Sequence, residues 1–181
     1  WFFCTGLSAL YHGSVNSYAN RHCDDLTRWA DDHTATPSVV TSVDKAFVNA
    51  LDLCEANSRE AGIRGKSVMA LLVATSALDW NTGASAVKDL EESVEIHHMV
   101  PARRLKTMKL PVTNPIAGLT PITERSNRRI GDQDPGTVVS DLGGAATRIM
   151  DSHQVDSNML VAGNQTAAKF EKFLKDRQTR L

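Results

Sequence analysis

The spacing of apolar positions divides the chain into a helical first half and a mixed second half. Residues 1–12 are apolar enough to begin a buried helix. Tyr18, His22, Leu26 and Trp29 recur three or four residues apart, a stripe along one helix face. Asp24, Asp25, Asp31 and Asp32 fall largely off that stripe and read as a solvated face. Pro37 interrupts the pattern. Ser42 offers a cap for a helix whose core face is Val43, Phe47, Ala50, Leu51 and Cys54. Ser67 to Trp80 is apolar nearly all round, as a central buried helix is.

The pattern changes after Asn81–Ser85, a turn-rich break. A helical subdomain over 1–85 and a second unit over 86–181 follow from it, packed as one domain. Val94 and Ile96 alternate with Glu95 and His97, the period of a short strand, which Pro101 ends. Met99 to Pro115 reads as a loop, and Ile116 to Leu119 as a second short strand. Thr123 is placed to cap a helix carrying Glu124 in its first turn, where an acid suits the helix dipole. Gly131 and the turn Asp134-Pro135-Gly136 follow its end, with a further helix over 137–150. A last helix opens near Asn164, with Phe170, Phe173, Leu174, Arg177 and Leu181 on one face. The fold class is α+β and predominantly helical.

Composition narrows the class. Of 181 residues, 41% are apolar and 23% charged, which suits a globular core and not a disordered chain. The net charge of −1 hides a polarity. Residues 97–130 hold seven cations and one acid, a local +6, whereas residues 1–60 hold four cations and eight acids, a local −4. Positive charge is gathered around His97 and His98, as in loops that handle phosphate and equally in solvated loops. Cys4, Cys23 and Cys54 lie far apart with no CxxC pair, so they read as buried free thiols in a cytoplasmic protein. No run of about 18 apolar residues predicts a membrane span. The chain begins Trp1-Phe2-Phe3-Cys4, so we expect a piece of a longer protein.

One segment suggests chemistry. Two histidines end a strand, a second strand follows, and a helix then brings Asn127 in its first turn. Hydrolysing a phosphodiester needs a base for water, a cation for developing charge, and a scaffold that aligns them. Adjacent strand residues point to opposite faces, but at a strand end both can reach one site. His98 is then suited to take a proton from water near pH 7, and His97 with Asn127 to hold a metal ion. His153 reads as a surface or packing histidine.

At Ile96-His97-His98-Met99-Val100-Pro101, Asn127-Arg128-Arg129-Ile130-Gly131 and Pro135 the chain resembles the HNH, or ββα-metal, nuclease superfamily. Within it the chain is similar to the C-terminal domain of GmrSD-like restriction proteins, which include SspE-type proteins. The resemblance extends more weakly to Trp1-Phe2-Phe3 with Asp25-Leu26, and to Phe170–Arg177. It implies a helical bundle carrying a small ββα-metal motif, in a DNA endonuclease domain of a bacterial anti-phage protein. It implies His98 as general base, His97 and Asn127 as metal ligands and catalytic partners, and Glu95 as an aid in orienting the ion. Mg²⁺ is the implied ion, with Mn²⁺ as its alternate. Arg128 or Arg129 would contact phosphate, and Arg103, Arg104 and Lys106 would join them on DNA. A nucleotidase or sensor domain would precede this chain. Relatives of this kind often carry an asparagine just before the second strand's Leu, steadying the base; here that position is Gly118, with Asn114 nearby.

Two other readings stay open on sequence. One is a DNA-binding module whose nuclease site has decayed. The other is a structural helical domain in which the histidines are packed.

Overall fold

The computed structural model describes residues 1–11, 15–54, 59–85, 93–110, 115–160 and 166–181. It is mostly helical with one two-stranded antiparallel sheet, so the α+β, predominantly helical expectation holds. The chain divides into two units: Trp1–Asp52 with Ser58–Val68, and Leu53–Asn57 with Met69–Leu181.

The first unit holds α1 (Phe2–Leu7), α2 (Val15–Asp31), α3 (Ser38–Ser42), α4 (Lys45–Ala50) and the start of α5 (Arg59–Ala74). Three expectations change here. Asp25 is buried, because its carboxylate accepts from both the N–H and the hydroxyl of Ser38, at 3.0 and 2.5 Å, at the start of α3. The helix at 45–50 is capped by Asp44, which accepts from Phe47 N at 2.8 Å, and it buries no side chain. None of the three cysteines is buried, and Cys23 is exposed.

The second unit carries the sheet. The end of α5 contributes Met69 and Leu72 to its core. The expected break near 85 is a turn inside this unit, closed by a bridge between Leu78 and Ser85. Strand β1 (Val94–His98) pairs with β2 (Leu119–Thr123), His97 opposite Thr120 and His98 opposite Leu119. Between them the chain is not simply a loop: Arg103, Arg104 and Lys106 lie on α6 (Ala102–Thr107). β1 already ends at His98, and Pro101, with φ −57° and ψ 143°, is the N-cap residue just before that helix. The second strand begins later than expected, because Ile116–Gly118 form a 3₁₀ turn. Asn114 lies outside the described residues.

Thr123 ends β2 and caps α7 (Glu124–Ile130), accepting from Ser126 N at 3.2 Å. Gly131 closes α7 with φ +50°, where a side chain is strained. The Asp134-Pro135-Gly136 turn is the beginning of α8 (Pro135–Asp141), with Asp134 as cap and Pro135 in the first helical position. A 3₁₀ turn separates α8 from α9 (Ala146–Ser152), so the single helix expected over 137–150 is two. Helix α10 (Ala167–Arg180) is capped by Thr166, and the expected opening at Asn164 lies outside the described residues. As the stripe predicts, α10 buries Phe170, Phe173, Leu174 and Arg177.

Arg177 is fully buried and anchors the sheet. It donates to the carbonyls of Ala117 and Leu119 at 2.8 and 2.5 Å and of His153 at 3.2 Å. Burial pushes its guanidinium down to about 9, which leaves it charged at neutral pH.

Candidate functional site

Alternation along β1 sets Glu95 and His97 on one face and Val94, Ile96 and His98 on the other. The first face meets α7. The His97 Nδ1 lies 2.7 Å from the Asn127 Oδ1, and the Asn127 amide nitrogen donates to the Glu95 carboxylate. Because Oδ1 accepts, His97 carries its proton on Nδ1 in this arrangement. Three donor groups from two elements thus converge, and two of them are the sequence-predicted ligands.

His97 is 5% exposed. Burial lowers its pKa most; the hydrogen bond to Asn127 opposes this, and the charge of His98 adds to the lowering. His97 is therefore neutral near pH 7. His98 is the last residue of β1, half-buried on the opposite face, close enough for its charge to be felt at His97.

The predicted DNA-contacting cations lie around this group and not in it. Arg103 and Lys106 are exposed on α6, and Arg104 pairs with Asp134 at 2.8 Å. Arg128 pairs with Glu124, and Arg129 donates to Asn81. Among the described residues, none of these five cations forms a hydrogen bond or ion pair with Glu95, His97 or Asn127.

Gly118 has a steric explanation. A Cβ there would sit 3.2 Å from Pro115 and 3.4 Å from Leu174 of α10. The position faces the packing between the 3₁₀ turn and the closing helix, while its carbonyl accepts from Met99 N at 3.0 Å.

Asp79 escaped the sequence reading. It is 1% exposed and its carboxylate takes six hydrogen bonds. The N–H groups of Asn81 and Thr82 and the Thr82 hydroxyl bind it from its own turn, at 3.0, 3.0 and 3.1 Å. Thr123 binds it through N–H and hydroxyl at 3.0 and 2.8 Å, and the Ser126 hydroxyl at 2.6 Å. Burial pushes its carboxyl up, but the hydroxyl of Ser126 and the N–H groups of Thr123 and Thr82 outweigh this and hold it below the usual carboxylate range. Next along, Trp80 packs edge-on against His97 and His153, ring centroids 5.6 and 5.9 Å apart. His153 is a packing residue: its Nε2 donates to Leu78 O and its Nδ1 accepts from the Thr120 hydroxyl, both at 2.6 Å. The apolar run from Ser67 to Trp80 reads as one helix, but α5 ends at Ala74, so Asp79 and Trp80 fall in the turn beyond it.

Among the described residues no cluster of three His, Cys, Asp or Glu is arranged as a metal site, and no helix is long and apolar enough to cross a membrane. Comparison with protein-family models, curated proteins and solved structures returns no match.

Proposed function

We propose that this chain is a metal-dependent DNA endonuclease domain of the ββα-metal (HNH) type, from a bacterial anti-phage restriction protein, and that it nicks one strand. The observation that carries the reading is the meeting of His97 and Asn127 at 2.7 Å, with the Glu95 carboxylate on the same amide. An amide oxygen and an imidazole, with water and phosphate oxygens completing the shell, suit a divalent ion such as Mg²⁺ or Mn²⁺.

His97 and Asn127 would hold the ion, and Glu95 would orient the amide. Bound there, the ion would neutralise charge on the phosphate and on the leaving oxygen. His97 is neutral near pH 7, so one ring nitrogen keeps its lone pair for the ion. His98 would take the proton of the attacking water as its oxygen bonds to phosphorus. The bond from phosphorus to the 3′ oxygen would break, and that oxygen would take a proton from solvent water, leaving a 3′-hydroxyl and a 5′-phosphate. Arg103, Arg104, Lys106, Arg128 and Arg129 would bind phosphates beside the site. Exposed ion pairs such as Arg128 with Glu124 hold about 0–1 kcal/mol, so exchanging Glu124 for a phosphate costs little. A preceding sensor domain would choose the target.

Gly118 favours a second reading, a DNA-binding module that does not cut. Nicking of supercoiled plasmid in Mg²⁺, Mn²⁺ or EDTA, paired with a gel-shift assay, separates them: the nuclease cuts only with metal, and the module shifts DNA without cutting it.

A further inference from the structure

We infer that the turn Asp79-Trp80-Asn81, outside the strand–strand–helix unit, positions the proposed site, with Asp79 as its main positioning residue. The inference rests on the nuclease reading for its purpose. Its geometry stands separately.

Each residue of the turn holds a different part. The Asp79 Oδ2 takes both donors of Thr123, the last residue of β2, and Oδ1 takes the hydroxyl of Ser126, in the first turn of α7. One carboxylate therefore fixes the corner at which the strand becomes the helix. Asn127 follows Ser126 directly, so that corner sets where its amide meets His97 and Glu95. Trp80 walls His97 from the side at 5.6 Å. Asn81 accepts from Arg129, one turn along α7 from the corner.

A helix cap alone does not require this arrangement. Thr123 already caps α7 through its own hydroxyl, which accepts from Ser126 N. Asp79 instead binds the capping residue and the Ser126 hydroxyl together, tying the strand end and the helix start to one carboxylate. It does so as a buried anion, whose hydrogen bonds are stronger than those of a neutral group. Such supporting partners orient ligands, and losing one lowers metal affinity or activity about 10–100-fold.

The test compares the whole chain with Asp79→Asn and Ser126→Ala, after circular dichroism has established folding. Asp79→Asn replaces one acceptor oxygen by a donor that meets donors. Ser126→Ala removes only the bond to the helix. In the metal-free protein, the hydrogen-bonded His97 Nδ1–H is expected as a protected NMR signal, lost in Asp79→Asn and weakened in Ser126→Ala. Mn²⁺ affinity, read by electron paramagnetic resonance, should fall about 10–100-fold in Asp79→Asn. Folded variants that keep both the proton signal and wild-type Mn²⁺ affinity overturn the inference. Should Asp79→Asn fail to fold, Ser126→Ala decides. If the wild type binds no Mn²⁺, the nuclease reading fails, and the His97 signal still decides the role of Asp79.

Discussion

His97 and Asn127, thirty residues apart, share a 2.7 Å hydrogen bond from the imidazole Nδ1 to the amide Oδ1. The bond satisfies a buried ring and brings together the two residues proposed to hold an ion. Asn127→Ala should therefore act twice. It leaves His97 without this acceptor, costing about 1 kcal/mol of stability. It also removes a ligand, and plasmid nicking should fall at least about tenfold. Equal nicking by a folded variant would remove Asn127 from the site.

Gly118→Asn supplies the side chain that the family resemblance expects. A Cβ at this position meets Pro115 at 3.2 Å and Leu174 at 3.4 Å, so the variant overpacks the contact with α10. A loss of about 1–3 kcal/mol is expected in thermal unfolding, with no gain in nicking. Faster nicking would show that the position reaches His98 after all.

Stability should fall on mild acidification. Burial pushes His153 down to about 4, whereas an unfolded histidine titrates near 6.5. Between those values the unfolded chain binds more protons than the folded one. The stability is fully present above pH 6.5 and is lost as pH falls towards 4, a span on the order of 3 kcal/mol. His97, also lowered by burial, acts in the same direction. Asp79 extends the loss below the ordinary range of a carboxylate, because its folded pKa is depressed. Urea unfolding at pH 7 and pH 4.5 reads the difference. His153→Gln should flatten the slope, and an unchanged slope would move its origin elsewhere.

Arg177→Leu removes a fully buried cation that serves the carbonyls of Ala117, Leu119 and His153. Three acceptors next to β2 then lose their donor. Destabilisation of about 3 kcal/mol or more is expected in urea unfolding, since each unsatisfied buried group costs about 1–3 kcal/mol. A change below about 1 kcal/mol would mean that these three bonds contribute little to holding the sheet.

Much of this unit is legible in the sequence, and for local reasons. Alternation marked β1, and Thr123 with Glu124 marked the start of α7. The apolar stripe marked the buried face of α10. What stayed hidden depends on distant partners. An Asp in a turn ordinarily binds its own turn, which Asp79 does, and nothing nearby reveals that it also reaches Thr123 and Ser126. Asp25 looked solvated because its partner Ser38 lies beyond a proline break. The cations at 103–106 looked like loop residues because Pro101 reads as a break, whereas a helix begins directly after it.

Nicking of supercoiled plasmid by His98→Ala tests the central claim most directly. With Mg²⁺ or Mn²⁺ the wild type should nick and EDTA should stop it. His98→Ala should be slower by about 10²–10⁴-fold, the usual contribution of a general base, while its affinity for DNA in a gel shift stays the same. Wild-type nicking by a folded His98→Ala protein would contradict the account.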